Sequence, residues 1–108
     1  MKHVYATIKA QAVSEPTLIL SAMLAACHES GLAVLRYTDH HFHPHGFSAA
    51  IILAESHFTC HTFPETWTVM VDIFCCNPKR LPMDTLELFR KKIDGVFLAS
   101  EEVERDAG

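Results

Sequence analysis

The sequence predicts an α+β fold: a two-layer α/β sandwich with a mostly antiparallel sheet and helices on one face. Three observations lead there. Segments with a two-residue apolar period are interleaved with two segments of helical period. The connections among the middle strands are of hairpin length. Hydrophobic residues make up 49% of 108 residues, enough for one core but not for two, so residues 1–108 read as one domain.

His3 to Lys9 alternates and carries Val4, Tyr5 and Ile8, which predicts a strand. Ser14-Glu15-Pro16 reads as a helix start, with Ser14 as N-cap and Pro16 in the first turn. The helix then runs from Thr17 to Ser30, with Ile19, Met23, Ala26 and Cys27 on its inner stripe, and Gly31 stops it. Leu32 to His41 is a second strand, His43-Pro44-His45-Gly46 a turn, and Ser48 to Ala54 an apolar third strand. Trp67 to Cys76 is a fourth. Pro78 and Pro82 break the chain, and Asp84 with Glu87 forms a capping-box pattern. Leu86, Phe89 and Ile93 face the core from a second helix, which Gly95 ends. Val96 to Ser100 is a short last strand, and the polar stretch 101–108 is expected to fray.

Side chains alternate across a strand, so the fourth strand has two unlike faces. Trp67, Val69, Val71, Ile73 and Cys75 form an apolar face suited to the core. Thr66, Thr68, Met70, Asp72, Phe74 and Cys76 form a mixed face for water, a partner or a site. The adjacent cysteines therefore differ: Cys75 packs, and Cys76 shares a face with Asp72.

Nine Lys and Arg against 13 Asp and Glu give a net charge of −4, with no basic block. Nucleic-acid and anionic-membrane binding rest on clustered cations, and both are disfavoured. No apolar stretch reaches the ~18 residues of a membrane span. Charge and polarity interrupt the N-terminal residues, so a signal peptide is not expected. Cys27, Cys60, Cys75 and Cys76 do not resemble a secreted disulfide frame, and the reading is a cytoplasmic protein with free thiols. Eight histidines are many for this length, and six lie between His40 and His61.

The stretch from His40 to Cys76 reads HHFHPHGFS, an apolar strand, then ESHFTCHTFPE and a strand containing Asp72 and Cys76. It resembles the small prokaryotic S-adenosylmethionine decarboxylase proenzymes. Their pattern is H-x-F-x-P-x-G-x-S, then E-S-H-x-x-x-H-T-W-P-E, then Asp-x-x-x-Cys. The resemblance implies an enzyme that makes a pyruvoyl cofactor from its own backbone. Ser56 would attack the carbonyl of Glu55, and the chain would split between Glu55 and Ser56, leaving a pyruvoyl group at residue 56. Ser48 would support the ester step. His61 would remove the α-proton of the serine, work suited to a group titrating near neutrality. Cys76 would protonate the substrate carbon after decarboxylation. A decarboxylase needs an electron sink, and an imine with a pyruvoyl carbonyl is one.

On the substrate side, the resemblance assigns Glu65 to the ribose hydroxyls of S-adenosylmethionine and Phe42 and Phe63 to its adenine and sulfonium. The product would be the aminopropyl donor for spermidine. Two protomers would pair through their sheets as a homodimer. The departures from the pattern fall mostly on the substrate side. Phe63 replaces a Trp, and Thr66-Trp67-Thr68 stands where a Tyr-Gly-Tyr-like stretch is usual. Cys75 stands where Thr or Ser is usual, and Ala10-Gln11-Ala12-Val13 where an acidic segment is usual. A basic amino acid, arginine or ornithine, is the alternative substrate. A non-enzymatic alternative is a His-rich metal-binding or interaction domain using His57, Cys60, His61 and His43 or His45. Their spacing matches no standard zinc site, and no metal is assigned. One geometric requirement stands out: on a flat strand Ser56 and His61 face opposite sides, so a bulge or turn near the cleavage point is needed.

Overall fold

The computed structural model describes residues 1–54 and 56–106. Six strands form one sheet: β1 (Lys2–Lys9), β2 (Val34–His41), β3 (Phe47–Leu53), β4 (Ser56–Phe63), β5 (Thr68–Cys75) and β6 (Val96–Glu104). Their order across the sheet is β2-β3-β4-β5-β1-β6, and every neighbouring pair is antiparallel. Two helices, α1 (Pro16–Glu29) and α2 (Pro82–Lys92), cover one face. The predicted α+β sandwich is what forms. Among the described residues, no helix is long and apolar enough to cross a membrane.

The core lies between the helices and the inward side chains of the sheet. Val4, Ile8, Phe47, Ile51, Phe58 and Ile73 point in from the strands and meet Ile19, Met23, Leu86 and Phe89. Phe58 and Phe89 pack edge to face, with ring centroids 5.4 Å apart. Each such side chain contributes about 1.5–3 kcal/mol by leaving water. The opposite face of the sheet carries no helix. Tyr5, Ile52, Phe63 and Met70 lie on it and are exposed.

Several local expectations are corrected. Ser14 does not cap α1. It closes a 3-10 turn over Gln11–Ser14, its hydroxyl donating to the Gln11 carbonyl at 3.1 Å, and Glu15 takes the N-cap place without a side-chain bond. The capping box at Asp84 does not form: α2 starts at Pro82, and Glu87 pairs with Arg90 instead. Trp67 leaves the core face, because the turn over Pro64–Thr66 forces it into a left-handed conformation (φ 57°) with its ring about half exposed. Residues 101–104 do not fray: they pair with β1, down to Lys2 opposite Glu104.

The largest omission from the sequence reading is β4. Its residues SHFTCHTF look mixed, yet they alternate between a buried face (Phe58, Cys60, Thr62) and an open one (His57, Thr59, His61, Phe63). The chain reverses between Leu53 and Ser56, which are paired in register. The required turn therefore exists, but it precedes Ser56. Glu55 itself lies outside the described residues.

Candidate active site

β4 sits between β3 and β5, and the site residues fall at its two ends. At the downstream end, the β3–β4 register sets Ser48 opposite His61 on the open face. Ser48 Oγ lies 2.6 Å from His61 Nδ1, a short hydrogen bond. The β2–β3 turn closes beside them as the Phe42 N–H donates to the Gly46 carbonyl at 2.8 Å. Gly46 has φ +108°, a conformation open to glycine and strained for other residues. Beyond Phe63, the 3-10 turn holds Glu65, and His45 Nε2 lies 2.7 Å from Glu65 Oε2. Phe42, His45, Ser48, His61, Phe63 and Glu65 thus line one cleft of about 400 Å³. Five of these six are residues the sequence singled out. His45 enters the sequence reading only in the turn and in the alternative metal grouping, although it stands beside the Gly that shapes the turn.

At the upstream end, Ser56 is the first residue of β4 and pairs with Leu53 and Cys75. Among the described residues its Oγ is buried and has no hydrogen-bond partner. Cys75 is buried, and Cys76, one residue past β5, is partly exposed. The predicted difference between the two cysteines is therefore present. Ser56 and His61 are five residues apart on one strand, about 16 Å along it. By alternation Ser56 shares the face of Phe58 and Cys60, opposite to that of His61. One chain does not bring them together.

Between the two ends, the open face carries a smaller polar group. His3 Nε2 lies 3.3 Å from Asp72 Oδ1, and His57 packs on Phe74 with ring centroids 5.8 Å apart. Burial, and next the neighbouring His3, hold the His57 imidazole below its usual titration range, while Asp72 opposes them. Burial pushes the Cys27 and Cys60 thiols up to about 12, which marks them as inert packing groups. The zinc-like grouping is split by alternation: His57 and His61 face out, and Cys60 between them faces in. Among the described residues, no group of three His, Cys, Asp or Glu is placed to hold a metal ion.

The family described as S-adenosylmethionine decarboxylase matches residues 3–106. The S-adenosylmethionine decarboxylase proenzyme of Acidithiobacillus ferrooxidans is 33% identical over 93 residues, covering 86% of this chain and 70% of that one. The proenzyme of the same name from Acetivibrio thermocellus is 30% identical over 107 residues, covering 96% and 86%. In fold, the chain is similar to the crystal structure of the adenosylmethionine decarboxylase from Aquifex aeolicus VF5. The TM-score there is 0.76 at 19% identity, over 99% of this chain and 95% of that one. With the family match running nearly end to end and both sequence relatives bearing its name, the chain belongs to the S-adenosylmethionine decarboxylase family.

Proposed function

We propose that this chain is a proenzyme that cuts itself between Glu55 and Ser56 and then decarboxylates S-adenosylmethionine. The product is the aminopropyl donor for spermidine synthesis, and the enzyme works in the cytoplasm as a homodimer of processed protomers. One observation carries the reading. The cleft at the His61 end gathers two aromatic rings, a carboxylate and a Ser–His pair, the set that an adenosine-bearing cation and a proton transfer call for. Phe42 and Phe63 offer faces to adenine and to the sulfonium charge. Glu65 accepts from the ribose hydroxyls. Arginine and ornithine carry no purine and no ribose for these groups.

Ser56 fits the origin of a pyruvoyl group. Its hydroxyl is buried with no partner among the described residues, so no hydrogen bond to any of these has to break before it attacks the carbonyl of residue 55. In that step a C–O bond forms and the peptide C–N bond breaks, the nitrogen taking the hydroxyl proton. The Ser48–His61 bond at 2.6 Å orients the imidazole. With Nδ1–H given to Ser48, Nε2 holds the lone pair that takes the α-proton of residue 56. The pyruvoyl group, once formed, supplies the electron sink for decarboxylation. Cys76, next in sequence to Cys75, the β5 partner of Ser56, returns a proton to the substrate carbon.

The separation of the two ends supports the dimer. A two-fold axis lying between paired open faces, parallel to the sheets and perpendicular to β4, sets the Ser56 end of one chain over the His61 end of the other. It also covers the exposed Tyr5, Ile52, Phe63 and Met70.

The deciding experiment is the denatured intact mass of freshly purified protein. Two fragments meeting at 55/56, the second with a carbonyl in place of its amine, are expected. A single full-length mass that persists on long incubation overturns the reading. Release of carbon dioxide from arginine or ornithine, and not from S-adenosylmethionine, would replace the substrate.

A further inference from the structure

We infer that His45 is a positioning residue that aims Glu65 at the ribose of the substrate. The inference rests on the proposed S-adenosylmethionine reading and deepens it. His45 stands on the turn between β2 and β3, and Glu65 on the 3-10 turn after β4, so the two come from opposite walls of the cleft. At 2.7 Å, His45 Nε2 and Glu65 Oε2 are in close polar contact, which clasps those walls together. The contact occupies one carboxylate oxygen and leaves Oε1 for hydroxyls of the ligand. His45 is itself held: the Phe42 N–H to Gly46 carbonyl bond fixes the turn that carries it. That same turn carries the Phe42 ring, so ring and carboxylate are set relative to one another through His45.

Both side chains are more than half exposed, 56% for His45 and 52% for Glu65. Exposed pairs add little to stability, so the clasp acts on orientation, not on folding. Among the described residues no Lys or Arg lines the cleft, which leaves His45 as the cleft residue whose ring meets the carboxylate.

The test uses the full chain, with wild type, His45→Ala, His45→Gln, Glu65→Ala and the His45→Ala/Glu65→Ala double variant. Intact mass first confirms cleavage in each. Carbon dioxide release from S-adenosylmethionine is then measured. His45→Ala is expected to raise KM about threefold to tenfold and to leave kcat within about twofold. His45→Gln, whose amide carries an N–H donor to the same side of the carboxylate, restores the low KM. In the Glu65→Ala background, His45→Ala adds nothing, because the group it acts through is gone. An unchanged KM in His45→Ala, an equal rise in both backgrounds, or a kcat loss that Gln does not rescue overturns the inference. Wild-type protein that releases no carbon dioxide from S-adenosylmethionine overturns the functional reading along with it. An active wild type with an indifferent His45→Ala overturns this inference alone.

Discussion

At its His61 end, β4 presents polar groups that are already paired. His61 is bonded to Ser48, and His45 lies 2.7 Å from Glu65, all within one cleft. At its Ser56 end, five residues earlier, the hydroxyl is buried and bonded to none of the described residues. The first end is arranged for orientation, with donors and acceptors committed before any ligand arrives. The second holds the proposed nucleophile without a partner among the described residues, a state that costs about 1–3 kcal/mol when a polar group is buried. On the proposed reading, the contrast teaches that binding groups are stiffened in advance, whereas the reacting group is kept free at some expense in stability. The two ends lie about 16 Å apart along the strand, a separation that the proposed second copy of the chain would close.

The largest expected effect is from Ser56→Ala. It leaves one uncut chain by intact mass and abolishes decarboxylation, yet its melting temperature holds or rises, because an unpaired buried hydroxyl is removed. A clear drop in stability would show that the Ser56 end is committed to packing after all. His61→Ala is expected to slow cleavage about 100-fold or more, on the scale of a lost general base. A time course of the cut fraction reads it.

Mixing sharpens the spatial contrast. Ser56→Ala and His61→Ala chains, co-expressed with distinct tags, should together recover about a quarter of wild-type decarboxylation if each site takes Ser56 from one copy and His61 from the other. No recovery from mixed dimers would place both ends of one chain in one site. Cys76→Ala should process normally and decarboxylate about 100-fold more slowly. Cys75→Ala should lose only packing, about 1 kcal/mol or somewhat more by thermal or urea unfolding. Equal inactivation of the two would erase their assigned difference.

The smallest effect concerns the region between the ends. Burial and His3 depress the His57 imidazole below its usual value of 6.5, with Arg105 adding to and Asp72 opposing the shift. A depressed group takes up fewer protons folded than unfolded. Its contribution is therefore complete above pH 6.5 and falls away as the pH drops through the lowered folded value. Wild-type stability should thus decline on acidification over that window, and His57→Gln should flatten the decline. An identical slope in the variant would remove His57 as its source.

The helices were legible because their signals are local. Pro16 and Gly31 bracket α1, and the Leu86, Phe89 and Ile93 spacing needs only a period of 3.6. The alternation of β5 was legible for the same reason, and it separated Cys75 from Cys76. β4 was not. Its inward positions include Cys60 and Thr62 and its outward ones include Phe63, so hydropathy alone hides the two-residue period. β6 was cut short in the sequence reading because its outer half is charged. It pairs all the same, as an edge strand can keep charged side chains in water while its backbone bonds to β1.

By itself, the sequence determined the family, both helices, five of the six strands, and the identities of the groups at Ser48, Ser56, His61, Glu65 and Cys76, since all of these reside in local pattern and spacing. Tertiary structure alone decided which of them meet. Ser48 faces His61 because β3 and β4 pair in that register, and His45 reaches Glu65 because two distant turns close over one cleft. Ser56 and His61 stay apart because the chain reverses before Ser56 and not after it. Register is a property of pairs of strands, and a single strand's residues do not contain it.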